Sequence, residues 1–488
     1  MIPASPRAAE RIERFVREGG AIVTTGQQTG FLTGPLYTVS KAVTAVRLAD
    51  LLERAMGCVV LPVFWAASDD HDFAEVRTAW LQRGGMLTTV TLEEGAAGSA
   101  TVPMAERTLA NGLDRISSEI RQAIGDERDG RWCIESFEAA YGAGRTVADG
   151  FLRLLRELLA PLDLVLTDAA HPVIRDAARP IVRVEIERRD EINAAMSEHT
   201  VQLEERAGAA VQVPILPGGL NLFLRTRTGR ERLFSAGERG VVARESGLKL
   251  DVDELWEMAD RTPERFSPNV LLRPVVEAEV FAPLAYVAGP AEIAYLAQTG
   301  PLFERHRVAR PLVFPRASFT LVEAEVRRTL DLLGLDLSDL AAPRSELWER
   351  VVRAKHLPAL ADRSRTLRRE ISEAYERYLS AGDTNDLPDD ARRRIAAIRD
   401  RAISGAHRAE RAVVRSVKAR ADTDRQRLER VLSALRPLDS PQERVLNIMP
   451  FLARHGPDLI ERMAAVIDLS FLEADRRTSP AGRVGEGG

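Results

Sequence analysis

The chain reads as an α/β protein with a parallel-sheet core, a small inserted α+β region and a helical final third. Three observations predict this. Two apolar β-type runs, Ala21–Thr25 and Cys58–Ala67, flank a helix-like segment from Pro35 to Met56, the spacing of one βαβ unit. Each run delivers a polar loop, GQQTGFLTGPLYTVSK at 26–41 and SDDHD at 68–72, and open parallel sheets bind ligands at the carboxyl ends of their strands. From about 345 to 436, Gly and Pro become scarce while Arg, Ala, Glu and Leu dominate, with apolar residues at helical spacing.

The elements follow in order. Residues 5–18 form a short amphipathic helix before the first strand. Thr88–Leu92 is an edge-strand candidate, and Leu109–Ile124 and Arg145–Leu159 are helix candidates. Leu162–Thr167 is the next strand, ending at Asp168 and His171. One long helix is predicted over Pro172–Glu204. Val211–Ile215, Asn221–Leu224 and Glu231–Phe234 are short β-type runs, with Pro-Gly-Gly at 217–219 as turn material. Tyr286–Gly289 and Val308–Phe314 return to the main sheet, with a helix from Ala291 between them. In the final third, Leu360, Leu367, Ile371, Ala374 and Tyr378 share one stripe, and Val417, Ala421, Leu428, Val431 and Leu435 share another. The break GDTNDLP at 382–388 makes these an antiparallel hairpin or coiled coil. Asp424 and Gly405 fall on the apolar seam, so the seam is imperfect. Dimerisation is expected there, because the stripe at 395–435 exceeds what the hairpin buries. The arginines, RRR at 392–394 among them, read as a solvated face. A helical tail, Gln442–Leu472, is expected to pack back on the body, and GRVGEGG at the end is expected to be disordered.

The domains so defined are a core in two parts, 1–170 and 266–340, an inserted region at 171–265, a hairpin at 341–440 and a tail at 441–488. The length of 488 residues supports two to four domains at roughly 100–200 residues each. The composition, 45% hydrophobic and 29% charged, is that of a core-forming protein. A net charge of −4 gives no reason to expect nucleic acid or an acidic membrane as partner. Two cysteines, Cys58 and Cys133, argue for a reducing cytoplasm and against a disulfide framework. The N-terminus has no apolar signal core, and no run of about 18 apolar residues predicts a membrane span.

Three constellations carry chemistry. In the first loop, Gly26, Gly30 and Gly34 allow close backbone approach, and Pro35 suits a helix start whose N–H groups favour a phosphate or carboxylate. Gln27 and Gln28 donate and accept, and Tyr37 and Lys41 follow on the helix. The plainer reading is a Gly-rich turn with no ligand. In the second loop, Asp70, His71 and Asp72 after Asp69 crowd like charges, so a cation, a substrate amine or His⁺ lies nearby. Metal ligation, proton transfer by His71, binding of an ammonium or ribose hydroxyl, and helix capping all remain open. In the third, SPNVLLRPVVEAEVFAPLAYVAGPAEIAYLAQTG at 267–300, Asn269 and Arg273 precede Tyr286, Gly289, Glu292 and Tyr295. Arg273 suits a carboxylate or phosphate, or else a salt bridge. His171, His199, His306, His356 and His407 stand alone and read as structural. No GxSxG supports a serine hydrolase.

These residues resemble a known family. GQQTGFLTGPLYTVSK, FWAASDDHDFAEV, SPNVLLRPV, YVAGPAEIAY and PQERVLNIMPFLARHG (441–456) occur in the order found in the bacillithiol-biosynthesis cysteine-adding enzymes, the BshC family, over about residues 20–472. The resemblance implies a Rossmann-like core related to class I aminoacyl-tRNA synthetases, with connecting insertions and a C-terminal α-helical coiled coil used in dimerisation. It implies a ligase joining the cysteine carboxylate to the amine of glucosaminyl-malate, the last step of bacillithiol synthesis. Such a bond needs an activated carboxylate, so ATP is implied, with AMP or ADP as product and a divalent metal left open. Asp70, His71 and Asp72 are then the catalytic candidates, and the two flanking constellations the substrate- or nucleotide-binding ones, with Lys41 on phosphates. The alternatives are a nucleotidyltransferase or amide ligase of different specificity, and a non-catalytic coiled-coil scaffold. Several features depart from the pattern. The HxGH signature is absent, since Gln28-Thr29-Gly30-Phe31 keeps only its glycine. No KMSKS counterpart is present; Arg316-Ala317-Ser318 stands nearest. Asp69 replaces the usual Glu, and Glu277-Ala278 stands where the family commonly has Gln-Asp, so no polar contact is carried over from position 278. The N-terminal segment is also shorter than usual.

Overall fold

A computed structural model describes residues 1–93, 101–109, 112–208, 211–380 and 387–474. The chain forms two compact units, one of residues 1–83, 88–319 and 443 onward, the other of 84–87 and 320–442. The expected turn at 382–388 falls largely outside the described residues, and so does GRVGEGG.

The first unit is built on a six-stranded sheet. Its strands are β1 (Ile2–Pro3), β2 (Gly20–Gln28), β3 (Val59–Ala67), β6 (Val165–Asp168), β12 (Ala285–Ala288) and β13 (Leu312–Pro315), in the order β1-β6-β3-β2-β12-β13. Two more, β4 (Thr78–Arg83) and β5 (Met86–Thr91), form a hairpin. All neighbours in the main sheet run parallel except β1, which pairs antiparallel with β6. All nine residues of β3 are buried, as expected of a central parallel strand covered on both faces. Side chains alternate across it: Leu61, Val63 and Trp65 join a core with Val165, Ile181, Val275 and Phe281, while Phe64 faces Phe151 on the other side.

Local chemistry sets the helix ends. Ser5 caps the helix Pro6–Glu18 by accepting from the Ala8 N–H at 3.0 Å, and Pro6 occupies its first turn. The helix Tyr37–Met56 links β2 to β3 and closes on Gly57 in the left-handed region. The inserted region is a five-stranded antiparallel sheet of β7 (Gly219–Arg225), β8 (Arg230–Ser235), β9 (Gly240–Ala243), β10 (Lys249–Asp251) and β11 (Phe266–Pro268), in the order β10-β9-β8-β7-β11.

The structure differs from the sequence reading in several elements. The helix expected over Pro172–Glu204 is three, Pro172–Ala177, Arg179–Glu187 and Arg189–Ala207, broken where Ala178 and Arg188 end one turn and start the next. Leu109–Ile124 becomes Leu113–Ile124, starting after Gly112 at φ +110°. Val211–Ile215 is not a strand; the N–H of Val213 donates to, and its carbonyl accepts from, the side chain of Gln298.

In the second unit, Leu360–Ser380 packs against Asp389–Lys418. Arg368 on the first arm pairs with Glu410 on the second, while Glu349 and Arg353 on the preceding helix Arg344–His356 meet Lys418 and Glu410, so that helix runs antiparallel to Asp389–Lys418. The stripe expected to run from Val417 to Leu435 is divided between two helices, because the chain breaks at Ala419–Ala421 before Asp422–Leu435. Leu428, Val431 and Leu435 pack with Leu330, Leu333, Leu347 and Val351. Those contacts also place residues 320–340 in this helical unit, not in the core as expected from the sequence. Asp424 on that seam is neutralised by Lys355 at 2.7 Å, Arg427 at 2.8 Å and His356 at 2.9 Å, which outweigh its burial and hold its carboxyl down at about 2.

Candidate active site

Chain progress across the main sheet reverses once. From β2 the chain moves to β3 and β6 on one side, then returns to β12 and β13 on the other. The carboxyl ends of β2 and β12 therefore flank a switch point, where open α/β sheets bind ligands. A cleft of about 360 Å³ lies there. Gly26, Gln27 and Gln28 reach it from β2, Asp70 from the loop after β3, Arg273 and Glu277 from the helix Arg273–Phe281, and Tyr286, Gly289, Glu292 and Tyr295 from β12 and the helix after it. Tyr37 and Lys41 line it from the helix Tyr37–Met56.

The inner wall is a paired network. Lys41, 1% exposed, places its ammonium 2.6 Å from Glu292 Oε2 and donates to the Gly26 carbonyl and to Gln27 Oε1 at 3.3 Å. Glu292 also accepts from Tyr286 Oη at 3.0 Å and from the Gly289 N–H at 2.8 Å. The tyrosines lose their acidity here. Burial first, then Glu292, raises Tyr286 and Tyr295; burial first, then Glu75, raises Tyr37. The sequence reading set Lys41 to hold phosphate, but its charge is matched by Glu292.

The acidic loop divides its residues among separate partners. Asp70 accepts from Gln28 Nε2 at 3.2 Å, and Gln28 also donates to Glu75 at 2.9 Å. Arg273 lies 3.6 Å from Asp70 and 3.7 Å from Asp69. Burial pushes the Asp70 carboxyl up, but the Arg273 and Arg230 guanidiniums and Gln28 outweigh it and hold it well below the usual carboxylate range. The same two carboxylates outweigh burial at Arg273 and raise it. His71 Nδ1 lies 2.9 Å from a guanidinium nitrogen of Arg230, which is buried at 5% exposure and stacked on Phe223 at 3.7 Å. Arginine only donates, so Nδ1 is the acceptor and the ring proton sits on Nε2. Burial, then the Arg230 charge, lowers the His71 pKa and keeps the imidazole neutral. Asp72 is exposed and caps Phe73–Val76 through the Glu75 N–H at 3.1 Å. Neither His71 nor Asp72 lines the cleft.

Asp69 is buried at 2% exposure, with Arg175 at 3.5 Å and Arg273 at 3.7 Å, and its charge also supports Arg230. Burial lowers Arg230 to about 10 against that support.

The glycine loop differs most from expectation. Gly26 lies inside β2, where a Cβ would sit 2.9 Å from the Trp65 carbonyl oxygen, so strand packing requires the glycine. Gly30 and Gly34 belong to a turn in which Leu32, Thr33 and Gly34 all have positive φ. Asn447 Nδ2 fills that turn, donating to the carbonyls of Leu32 at 2.6 Å and Gly34 at 2.7 Å, and the Leu36 N–H bonds the Leu446 carbonyl. The helix start expected to face a ligand faces the tail instead. Asn269 is also outside the cleft: its Nδ2 donates to Asn221, and its Oδ1 caps the backbone of Leu271 and Leu272 just before Arg273.

Sequence reasoning missed Arg230, Arg175, Glu75, Glu277 as a site group, Asn447 and Arg444. Asn447 and Arg444 carried a signal in the ERVLN run of the last motif, Glu75 in FWAASDDHDFAEV and Glu277 in the run at 267–300; Arg230 and Arg175 carried none. Arg316, the nearest KMSKS counterpart, makes a two-pronged pair with Glu443 at 2.7 and 2.8 Å, and Ser318 Oγ joins the same carboxylate at 2.8 Å. Three further groups line the cleft: exposed Arg444, and Gln27 and Tyr37, whose side chains bond each other at 3.4 Å. Among the described residues, no group of three His, Cys, Asp or Glu stands close enough to hold a metal ion.

A Rossmann-like sheet with a polar, charge-paired cleft at its switch point is an enzyme architecture that presents small-molecule substrates to converging side chains. Residues 1–317 match the family model "Bacillithiol biosynthesis BshC, N-terminal Rossmann-like domain", and residues 319–470 match "Bacillithiol biosynthesis BshC, C-terminal coiled-coil domain". The chain belongs to this family, which places it among the ligases. Similar proteins, each named "Putative cysteine ligase BshC", include one from Koribacter versatilis, 32% identical over 94% of this chain and 84% of that one. Another, from Salinibacter ruber, is 30% identical over 93% and 82%. A third, from Symbiobacterium thermophilum, is 31% identical over 91% and 81%.

Proposed function

We propose that this enzyme joins the carboxylate of cysteine to the amine of glucosaminyl-malate, with ATP activating the carboxylate. One observation carries the reading. The motifs GQQTG, SDDHD, RPVVE and YVAGPAE, far apart in sequence, contribute to one cleft, in a chain 30–32% identical to proteins named cysteine ligases. Arg273 is the cleft cation suited to a substrate carboxylate, and Asp70 fixes its direction. Neutral His71 orients Arg230 behind that loop and moves no proton through Nδ1. Arg444, Gln27 and Tyr37 are the groups offered to the nucleotide. The enzyme acts in the cytoplasm, whose reducing environment suits a thiol substrate and two unpaired cysteines. No helix among the described residues is long and apolar enough to cross a membrane.

The test is direct. Purified protein with cysteine, glucosaminyl-malate and ATP is expected to yield bacillithiol with AMP and pyrophosphate by mass spectrometry. Bacillithiol with ADP would replace the adenylate by an acyl phosphate, and folded protein giving no product would reject the reading.

The hairpin is the proposed dimer contact. Leu367, Tyr378, Ile398 and Val413 are exposed on its arms, at 44%, 60%, 49% and 42%. Light scattering at micromolar concentration is expected to give twice the 53.8 kDa chain mass. A monomer mass throughout would remove the dimer.

A further inference from the structure

We infer that Glu277 is the proton acceptor for the substrate amine, taking one proton from its ammonium so that the nitrogen can attack the activated carboxyl carbon. This rests on the ligase reading and adds a residue that reading does not use.

The geometry singles out Glu277 among the carboxylates that line the cleft. Asp70 is met by Gln28 and Arg273, Glu75 by Gln28, and Glu292 by Lys41, Tyr286 and Gly289. Glu277 is 3% exposed, and its Oε1 is buried without a hydrogen-bond partner. A buried carboxylate with the Thr24 hydroxyl as its one donor is under-satisfied in the free protein, and a ligand in the cleft that brings a further donor relieves that cost. The two cations nearest it, Lys41 and Arg273, already have carboxylate partners, so the donor Glu277 lacks is one that a ligand can supply. An ammonium fits that need, whereas a phosphate or carboxylate would be repelled.

The groups facing Glu277 come from every element around it. Thr24 lies on β2, Lys41 on the helix Tyr37–Met56, Arg273 one turn before it on its own helix, Tyr286 on β12, and Glu292 and Tyr295 on the helix after β12. Burial dominates and pushes the carboxyl up to about 7 against the lowering effect of Thr24 and Lys41. At neutral pH both its forms are populated, the condition a general base needs near its working pH. Substrate amines titrate nearby, with α-amino groups at roughly 7.7–8.0.

The step balances simply. One N–H bond breaks, one O–H bond forms on Glu277, and the electron pair stays on nitrogen. That pair then makes the C–N bond while the carboxyl carbon releases AMP or phosphate with its own pair. The remaining extra proton passes to water.

Glu277→Gln keeps the shape and removes a buried charge. Its folding stability is expected to equal or exceed wild type above pH 7, because a raised carboxyl costs stability as pH rises through its folded value. Wild type and variant are compared with glucosaminyl-malate, and with methoxyamine, which is already unprotonated at neutral pH and needs no base before it attacks. At pH 7 the variant is expected to lose about 100-fold or more in kcat with glucosaminyl-malate, the low end of general-base effects. The loss shrinks toward pH 9, and rates with methoxyamine stay near wild type. Equal loss with both amines overturns the transfer step while sparing the ligase reading; a wild type that forms no amide overturns both. Calorimetric titration of glucosaminyl-malate in buffers of different ionisation enthalpy is a second readout. Wild type is expected to release part of a proton on binding at pH 7, and the variant none. Identical release overturns the amine contact.

Discussion

Asp69→Ala is expected to destabilise the fold by about 3–5 kcal/mol, the cost of leaving buried charges without their partner. Arg175 and Arg273 each pair with this one carboxylate, and its charge supports Arg230 as well. Its removal exposes those guanidiniums to one another inside the protein. Asp70 can compensate only in part, since it already serves Arg273 and Gln28. Urea denaturation measures the difference, and a loss below about 1 kcal/mol, the scale of a surface pair, would contradict it. Asp69→Glu tests the geometry: it keeps the charge and is expected to recover most of the stability. Activity should fall in Asp69→Ala even where the protein folds, because Arg273 loses one of the carboxylates that fix it.

The second large effect belongs to Glu292. Glu292→Ala strips Lys41 of its only carboxylate partner among the described residues and removes the acceptor for Tyr286 Oη and the Gly289 N–H. A buried ammonium left unpaired costs about 3–5 kcal/mol. The double variant Lys41→Met/Glu292→Gln removes both charges and is expected to recover much of that loss, since replacing a buried pair by neutral groups is often close to neutral. Denaturation of the singles and the double gives the coupling. Additive losses would mean that Lys41 and Glu292 do not act as a pair.

These two residues also show what the sequence made legible. β2, β3, β6 and the helical hairpin announced themselves through apolar runs and periodicity, because burial on both faces or on one stripe leaves a local signature. The stripe from Val417 to Leu435 misled because helical spacing continues across a break at Ala419–Ala421, and only the packing of Leu428 on Leu330 and Leu347 shows the second partner. Gly30 and Gly34 fit a ligand loop or a plain turn equally, since glycine spacing looks alike whether anion or protein fills the turn. What fills it, Asn447, lies more than 400 residues away. Arg273, Tyr286 and Glu292 were found because they share a motif. Arg230 and Arg175 were not, for nothing local distinguishes an arginine that will be buried against Asp69 from one on the surface.

Hydrogen-exchange mass spectrometry with and without cysteine, glucosaminyl-malate and a non-hydrolysable ATP analogue tests the central claim most directly. Protection is predicted in peptides covering 26–28, 273–277 and 286–295, the walls of the switch-point cleft. Protection confined to the separate groove between 112 and 143, with those three segments unchanged, would contradict it.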